Sequence, residues 1–312
     1  MIVDTSDAKE TSCMIDENLL PNLLIIGAAK AGTTALHKYL NEHPQIFMTP
    51  KKEPRFFLVW DNPGQMRINE EENHSVFNNY NTIEKYAALF INGKDCIIRG
   101  ESSPQYLSYT HCAAKIKKLL PDVKIIAVLR NPIDRAFSHY TMNRHWQIEK
   151  AAFDEAVEEE IKTGRWNYPQ DMRYLCLGNY AEQLKPYLHL FSSKQMKIYL
   201  YDDLKNDSKS FLKDIFRFLG VDQNFIPNLE NKHNVSLIRR YPCESKMDKL
   251  LSLSQKGFRK LKMHSFEELV KHYRFYKPIF KSETRKKLIE YYADEVSELE
   301  KLLNKDLSNW RQ

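Results

Sequence analysis

Apolar residues in this chain fall into short continuous runs separated by stretches of helical spacing. Asn22-Leu-Leu-Ile-Ile-Gly27 is an apolar run ending at Gly, the pattern of a buried strand. From Thr33 to Asn41 the apolar positions Leu36, Tyr39 and Leu40 recur at helical intervals, so the opening unit reads strand, Gly-containing loop, helix. Ile97-Ile98-Arg99-Gly100 predicts a second strand. Lys124–Leu129, apolar almost throughout, predicts a third, buried on both faces. Met196–Tyr201 alternates and belongs nearer an edge. Helical spacing covers 82–90, 110–120, 133–147, 151–163, 178–191, 207–219 and 283–303. This alternation predicts an α/β fold, a parallel sheet flanked by helices on both faces, with a helical carboxy-terminal part. Residues 61–81 carry Asn-Pro-Gly and three consecutive Glu and read as an exposed loop. Residues 1–20 read as a disordered lead-in, and 21–312 as one domain.

Composition narrows the function classes. With 312 residues, 42% hydrophobic and 28% charged, the chain has the make-up of an ordinary soluble protein. It has no run of about 18 apolar residues, so no membrane partner is expected. Met1 to Asn18 is polar and acidic, unlike a secretory signal. Cys13, Cys96, Cys112, Cys176 and Cys243 are odd in number and lack metal-ligand spacing. That predicts free thiols, a cytoplasmic location and no metal. A net charge of +6 is too weak to imply nucleic acid. Residues 231–290, however, hold 16 Lys and Arg against 6 Asp and Glu, a local net of +10. That is either a solvated helical face or a basic lip over an anionic ligand.

Gly27-Ala-Ala-Lys30-Ala31-Gly32-Thr33-Thr34 is the most informative stretch. It follows a buried strand and opens a helix, where unpaired backbone N–H groups and the helix dipole favour an anion. Small residues allow close approach, Lys30 adds a point charge, and Thr33 and Thr34 add hydroxyl donors. The loop departs from the nucleotide-hydrolase signature: Thr33, not Lys, follows Gly32. No neighbouring strand ends in an Asp suited to hold magnesium. Strand 124–129 runs into Arg130-Asn131, and strand 97–98 into Arg99-Gly100-Glu101.

The Lys-x-Gly-Thr-Thr loop resembles that of sulfotransferases using 3′-phosphoadenosine 5′-phosphosulfate (PAPS), in which it cradles the 5′-phosphosulfate without a metal. Arg130-Asn-Pro-Ile-Asp-Arg-Ala-Phe-Ser138 resembles their second signature. The resemblance implies that Arg130 and Ser138 bind the 3′-phosphate. Ser138 lies eight residues on, about two helical turns. Gly178–Leu184, Asp203-Leu204, Phe218–Gly220 and Asp306–Trp310 resemble later family landmarks, so the likeness spans about 22–310.

Lys51-Lys52-Glu53-Pro54-Arg55-Phe56-Phe57 follows the first helix. By itself Glu53 reads as a surface ion pair with Lys51 or Lys52. The resemblance to the glycan-type branch implies that Glu53 is the general base, with Lys30 and Lys52 neutralising charge on the leaving phosphate. The phenol and steroid branch uses a His instead; His111 and His139 qualify only by residue type. Glu101 is a second carboxylate expected to face the acceptor, standing where some glycan enzymes of the family have Lys, and either Glu53 or Glu101 is the base. Trp60, Trp146, Trp166 and Tyr168 are candidate acceptor walls. Asn231, Lys232, His233, Arg239 and Arg240 lie where family members fold a basic segment over the nucleotide. The implied activity is sulfuryl transfer from PAPS to a hydroxyl or amine of a small polar acceptor, such as a cationic secondary metabolite. A glycan acceptor, an ATP-dependent small-molecule kinase and a non-catalytic nucleotide-binding module stand as alternatives.

Overall fold

The computed structural model describes residues 19–60, 80–165, 172–229, 238–239, 245–260, 266, 269–270, 275–276 and 280–312. Five strands, β1 (Leu23–Gly27), β2 (Ile46–Met48), β3 (Ile98–Ser102), β4 (Lys124–Leu129) and β5 (Met196–Leu200), form one parallel sheet in the order β2-β3-β1-β4-β5. Every residue of β1 is buried, as a central strand covered on both faces requires. The register sets Ile25 beside Ser102 on one side and Ile126 on the other, so β3 stops level with Ile25, β1 runs two residues further and β4 continues to Leu129. In an open parallel sheet the carboxyl ends of such strands border the ligand crevice.

The helices are α1 (Thr33–Asn41), α2 (Phe56–Val59), α3 (Ile83–Ala87), α4 (Gln105–Ser108), α5 (Cys112–Leu119), α6 (Pro132–His145), α7 (Phe153–Thr163), α8 (Tyr180–Leu190), α9 (Tyr201–Asn206), α10 (Ser208–Leu219), α11 (Lys246–Lys260), α12 (Ser282–Tyr291) and α13 (Ala293–Leu303). α1 packs on β2 and β3, α4 lies against β1, and α8 joins α5 to α13. A two-stranded antiparallel ribbon of β6 (Ile238–Arg239) and β7 (Phe275–Tyr276) touches α6.

The four strands expected from the pattern are present, and β5 lies at an edge. β2 is the addition: three residues are too few to show a period, and only pairing with β3 makes it a strand. The stretch read as one helix over 283–303 is two. Tyr292 interrupts it with φ −94° and ψ 5°, and its buried hydroxyl donates to the Leu175 carbonyl at 2.6 Å. Apolar spacing continues across that break, so periodicity alone could not reveal it. The lead-in through residue 18 and loop residues 61–79 lie outside the described residues.

Candidate active site

The loop expected to hold a phosphate joins β1 to α1. Gly32 precedes the helix with φ 86°, where an L side chain is strained, and a Cβ there would lie 2.9 Å from the Tyr201 ring. No side chain caps α1 and no acidic residue occupies its first turn. Its leading N–H groups and dipole therefore have no side-chain acceptor, the condition that suits a phosphate. Ala31 and Thr33 are buried in the turn, and Ala31 N–H donates to the Ala28 carbonyl at 3.1 Å. Lys30 has a left-handed φ of 71°, rare for a residue with a Cβ. Its Nζ lies 3.3 Å from Met142 Sδ on α6. Ser138 is four residues earlier on the same helix face and is buried.

β4 delivers Arg130 to the same place. Its Nη1 donates to the Lys30 carbonyl at 3.1 Å, and its guanidinium sits 4.9 Å over the Tyr201 ring. Asn131 caps α6 by accepting from Ile133 N–H at 2.9 Å, and Pro132 suits the first helical position. The turn is braced by Tyr180, whose hydroxyl donates to the Arg130 carbonyl at 2.9 Å. Asn131 Nδ2 in turn donates to the Trp310 carbonyl at 3.2 Å.

The electrostatics are those of an anion cradle. Burial, then the charges of Arg130, Arg135 and Lys52, push Lys30 down to about 8, with Glu53 opposing. Arg135 is fully buried on α6; its Nη2 donates to the Tyr174 carbonyl, while Nε and Nη1 have no hydrogen-bond partner. A buried cation left short of acceptors is costly, and an anion nearby offsets that cost.

Beside the cradle, the segment after β2 lies over the end of β3. Glu53 and Arg55 both have left-handed φ, 60° and 58°, around Pro54. Glu53 N–H donates to the Ser102 carbonyl at 3.0 Å, and Arg55 N–H to Ser103 Oγ at 3.1 Å. The Glu53 carboxylate receives Lys52 Nζ at 2.6 Å, Gln105 Nε2 at 2.8 Å and Arg55 Nη2 at 3.0 Å. Burial raises its pKa, but Lys52, Gln105 and Arg55 outweigh that and hold it at about 2. Glu53 is therefore ionised at any working pH and is partly open to solvent.

Glu101 does not face an acceptor. It is fully buried, with Oε1 accepting from Tyr86 Oη at 3.2 Å and Oε2 from Ser103 Oγ at 2.8 Å. Burial pushes it up to about 7 despite these donors. The expectation failed because β3 runs two residues further than the apolar pattern indicated, which carries Glu101 inside the sheet. Trp60 packs on Phe56 at 5.6 Å, with Lys118 Nζ over its ring, so it belongs to an aromatic cluster around α2. Trp146 ends α6 one turn beyond Met142 and is 56% exposed. His139 is buried against Tyr174 and held neutral by burial, with Arg135 and Lys30 adding to the effect. Burial and Lys115 likewise lower His111, which sits beside Tyr109. β6 places the Arg239 backbone beside α6. Trp166, Tyr168, Asn231, Lys232, His233 and Arg240 lie outside the described residues.

The structure thus brings together Lys30, Gly32, Thr33, Thr34, Arg130 and Ser138, with Lys52 and Glu53 alongside. Sequence reasoning missed Gln105, Ser103, Arg135 and Met142. The available signal was position: Ser103 and Gln105 directly follow a strand whose neighbour carries the phosphate loop.

The family model of the sulfotransferase domain matches residues 20–300. The chain is 31% identical over 297 residues to the mouse bifunctional heparan sulfate N-deacetylase/N-sulfotransferase 4, covering 92% of this chain and 30% of that protein. It is 26% identical over 234 residues to the mouse heparan sulfate glucosamine 3-O-sulfotransferase 3A1, covering 73% and 52% respectively. The chain therefore spans under a third of the first relative's length and about half of the second's. A solved sulfotransferase from Alicyclobacillus acidocaldarius superposes with a TM-score of 0.72 at 29% identity, covering 94% of this chain and 99% of that one. Given a family match over nearly the whole chain and a five-stranded parallel sheet with its phosphate loop at the central strand, this chain belongs to the sulfotransferase family.

Proposed function

We propose that the chain transfers a sulfuryl group from PAPS to a hydroxyl or amine, with Glu53 as general base. The observation that carries this reading is the juxtaposition, at the ends of adjacent strands, of an anion cradle (Lys30, Arg130, the start of α1) with an ionised carboxylate. The start of α1 and Lys30 hold the 5′-phosphosulfate, and Arg130 with Ser138 holds the 3′-phosphate. PAPS supplies an activated sulfur whose bond to the bridging phosphate oxygen breaks. The acceptor oxygen or nitrogen forms the new bond to sulfur, its proton passes to Glu53, and the electron pair of the broken bond stays on the phosphate beside Lys30. Glu53 is a weak base, so the proton moves as bond formation to sulfur makes the acceptor strongly acidic. In-line placement of acceptor and sulfur supplies much of the remaining rate.

Glu101 is inside the sheet, so it offers no second carboxylate to a cationic acceptor. Lys52 and Arg55 flank Glu53 instead, and both are partly exposed. Cations around the base favour an acceptor carrying negative charge, which supports the glycan alternative over a cationic metabolite. The names of the relatives point the same way.

Glu53→Gln tests the base. Turnover with labelled PAPS is expected to fall by about 10²–10⁴-fold while affinity for adenosine 3′,5′-bisphosphate stays within error. Unchanged turnover refutes the role. Titration with the bisphosphate beside ATP tests the donor: tighter binding of ATP would put the kinase reading first. A uronate-bearing glycan and a polyamine acceptor, assayed side by side, decide the acceptor class.

A further inference from the structure

Glu101 is a carboxyl group fully inside the sheet with no cation bonded to it, an expensive residue to bury for packing alone. Its surroundings give it a task. Three hydroxyls point at it: Tyr86, Ser103 and Tyr106. Two of these also accept from the backbone of the segment that carries Glu53. Ser103 Oγ receives Arg55 N–H at 3.1 Å, and Tyr106 Oη receives Phe57 N–H at 3.4 Å. A hydroxyl has one proton. When Ser103 and Tyr106 give theirs to Glu101, only their lone pairs remain to face Arg55 and Phe57.

We propose that Glu101 is a positioning residue for Glu53: its carboxylate orients the Ser103 and Tyr106 hydroxyls so that they hold the Glu53-Pro54-Arg55 turn and the start of α2. The inference rests on Glu53 being the base. The turn needs such a post. Two left-handed residues around Pro54 are strained and persist only when their surroundings over-determine them. The Glu53 N–H bond to the Ser102 carbonyl and the Arg55 N–H bond to Ser103 both anchor at the last residues of β3 and just past them. Arg55 then returns its guanidinium to Glu53 at 3.0 Å, closing the loop on the carboxylate itself. Tyr86 completes the network and stacks on Phe56 at 4.1 Å, tying it to the aromatic face of α2.

The test is a double-mutant cycle on turnover with labelled PAPS, with bisphosphate affinity measured alongside. Glu101→Gln keeps the buried shape, and Ser103→Ala removes one hydroxyl only. Each is expected to lower kcat by about 10–10²-fold, the loss that follows from a displacement of about 1 Å. Bisphosphate affinity should not change, because the cradle lies on the β1–α1 turn, the end of β4 and α6, not on the Glu53-Pro54-Arg55 turn. In a Glu53→Gln background either substitution should cost less than about threefold, since no base is left to position. If the losses instead multiply in full with that of Glu53→Gln, or kcat is unchanged, the positioning role is wrong while the base assignment stands. If Glu53→Gln alone leaves kcat intact, the base assignment itself falls. Should Glu101→Gln not fold, Ser103→Ala and Tyr106→Phe carry the same cycle.

Discussion

The depressed pKa of Lys30 makes a quantitative prediction about nucleotide binding. In the free protein, burial and the cations Arg130, Arg135 and Lys52 bring Lys30 to about 8. A phosphate dianion beside its Nζ reverses that balance and returns it to about its ordinary 10.5 or above. The bound pKa is thus the higher one, so binding takes up a proton wherever free Lys30 is neutral, and affinity falls as pH rises through 8. At pH 9 about nine-tenths of free Lys30 is neutral, and proton uptake approaches about 0.9 per bisphosphate; at pH 8 it is about 0.5 and at pH 7 about 0.1. Affinity at pH 9 should be about tenfold weaker than at pH 7, or about 1.4 kcal/mol. The phosphates themselves contribute little, since their second ionisation, near pKa ~6, is nearly complete above pH 7. Calorimetric titration with adenosine 3′,5′-bisphosphate in two buffers of different ionisation enthalpy reads both quantities. Lys30→Arg keeps the charge at every pH and should abolish the uptake and flatten the profile. Wild-type affinity that is level from pH 7 to 9, or an equal fall in Lys30→Arg, would refute the placement of Lys30 among these cations.

Arg130→Ala removes charge-assisted bonds worth about 1.5–3 kcal/mol, so affinity for the 3′,5′-bisphosphate should drop about 10–100-fold while that for 5′-AMP changes little. Equal losses for both ligands would show that Arg130 does not read the 3′-phosphate. Gly32→Ala places a Cβ at a left-handed position 2.9 Å from Tyr201, and should lose about 1–2 kcal/mol in urea denaturation together with most nucleotide affinity. Trp310→Ala empties a buried site next to Tyr180 and should destabilise by about 3–5 kcal/mol. Because the Trp310 carbonyl accepts from Asn131, surviving folded protein should also bind bisphosphate more weakly, as calorimetry would detect.

The segments proposed to hold the nucleotide were legible in the sequence because they are local. Gly27 to Thr34 and Arg130 to Ser138 each run from a strand into a helix, and the motif and the element that positions it are the same short segment. The proposed acceptor side was only partly legible. Glu53 was named through the family resemblance, and its ion pair with Lys52 was visible beside it, but Gln105 was not: it is 52 positions away and joins Glu53 only because β2, which leads to Glu53, pairs with β3. Glu101 shows the opposite failure. By type it looked like a second acceptor-facing carboxylate, and only the length of β3 shows that it is internal.

By itself the sequence determined the α/β class, four of the strands of the five-stranded sheet, the strand–loop–helix around Lys30 and the charge types in the segments that meet there. Apolar runs, helical spacing and the need for Gly at a left-handed turn are properties of neighbouring residues. Tertiary structure alone decided the strand order, the break at Tyr292, the burial of Glu101 and the approach of Lys52, Arg130 and Arg135 to Lys30. Each of these depends on which distant segments pack together. Desolvation and charge proximity, which set the pKa values of Lys30, Glu53 and Glu101, arise only once those segments have met.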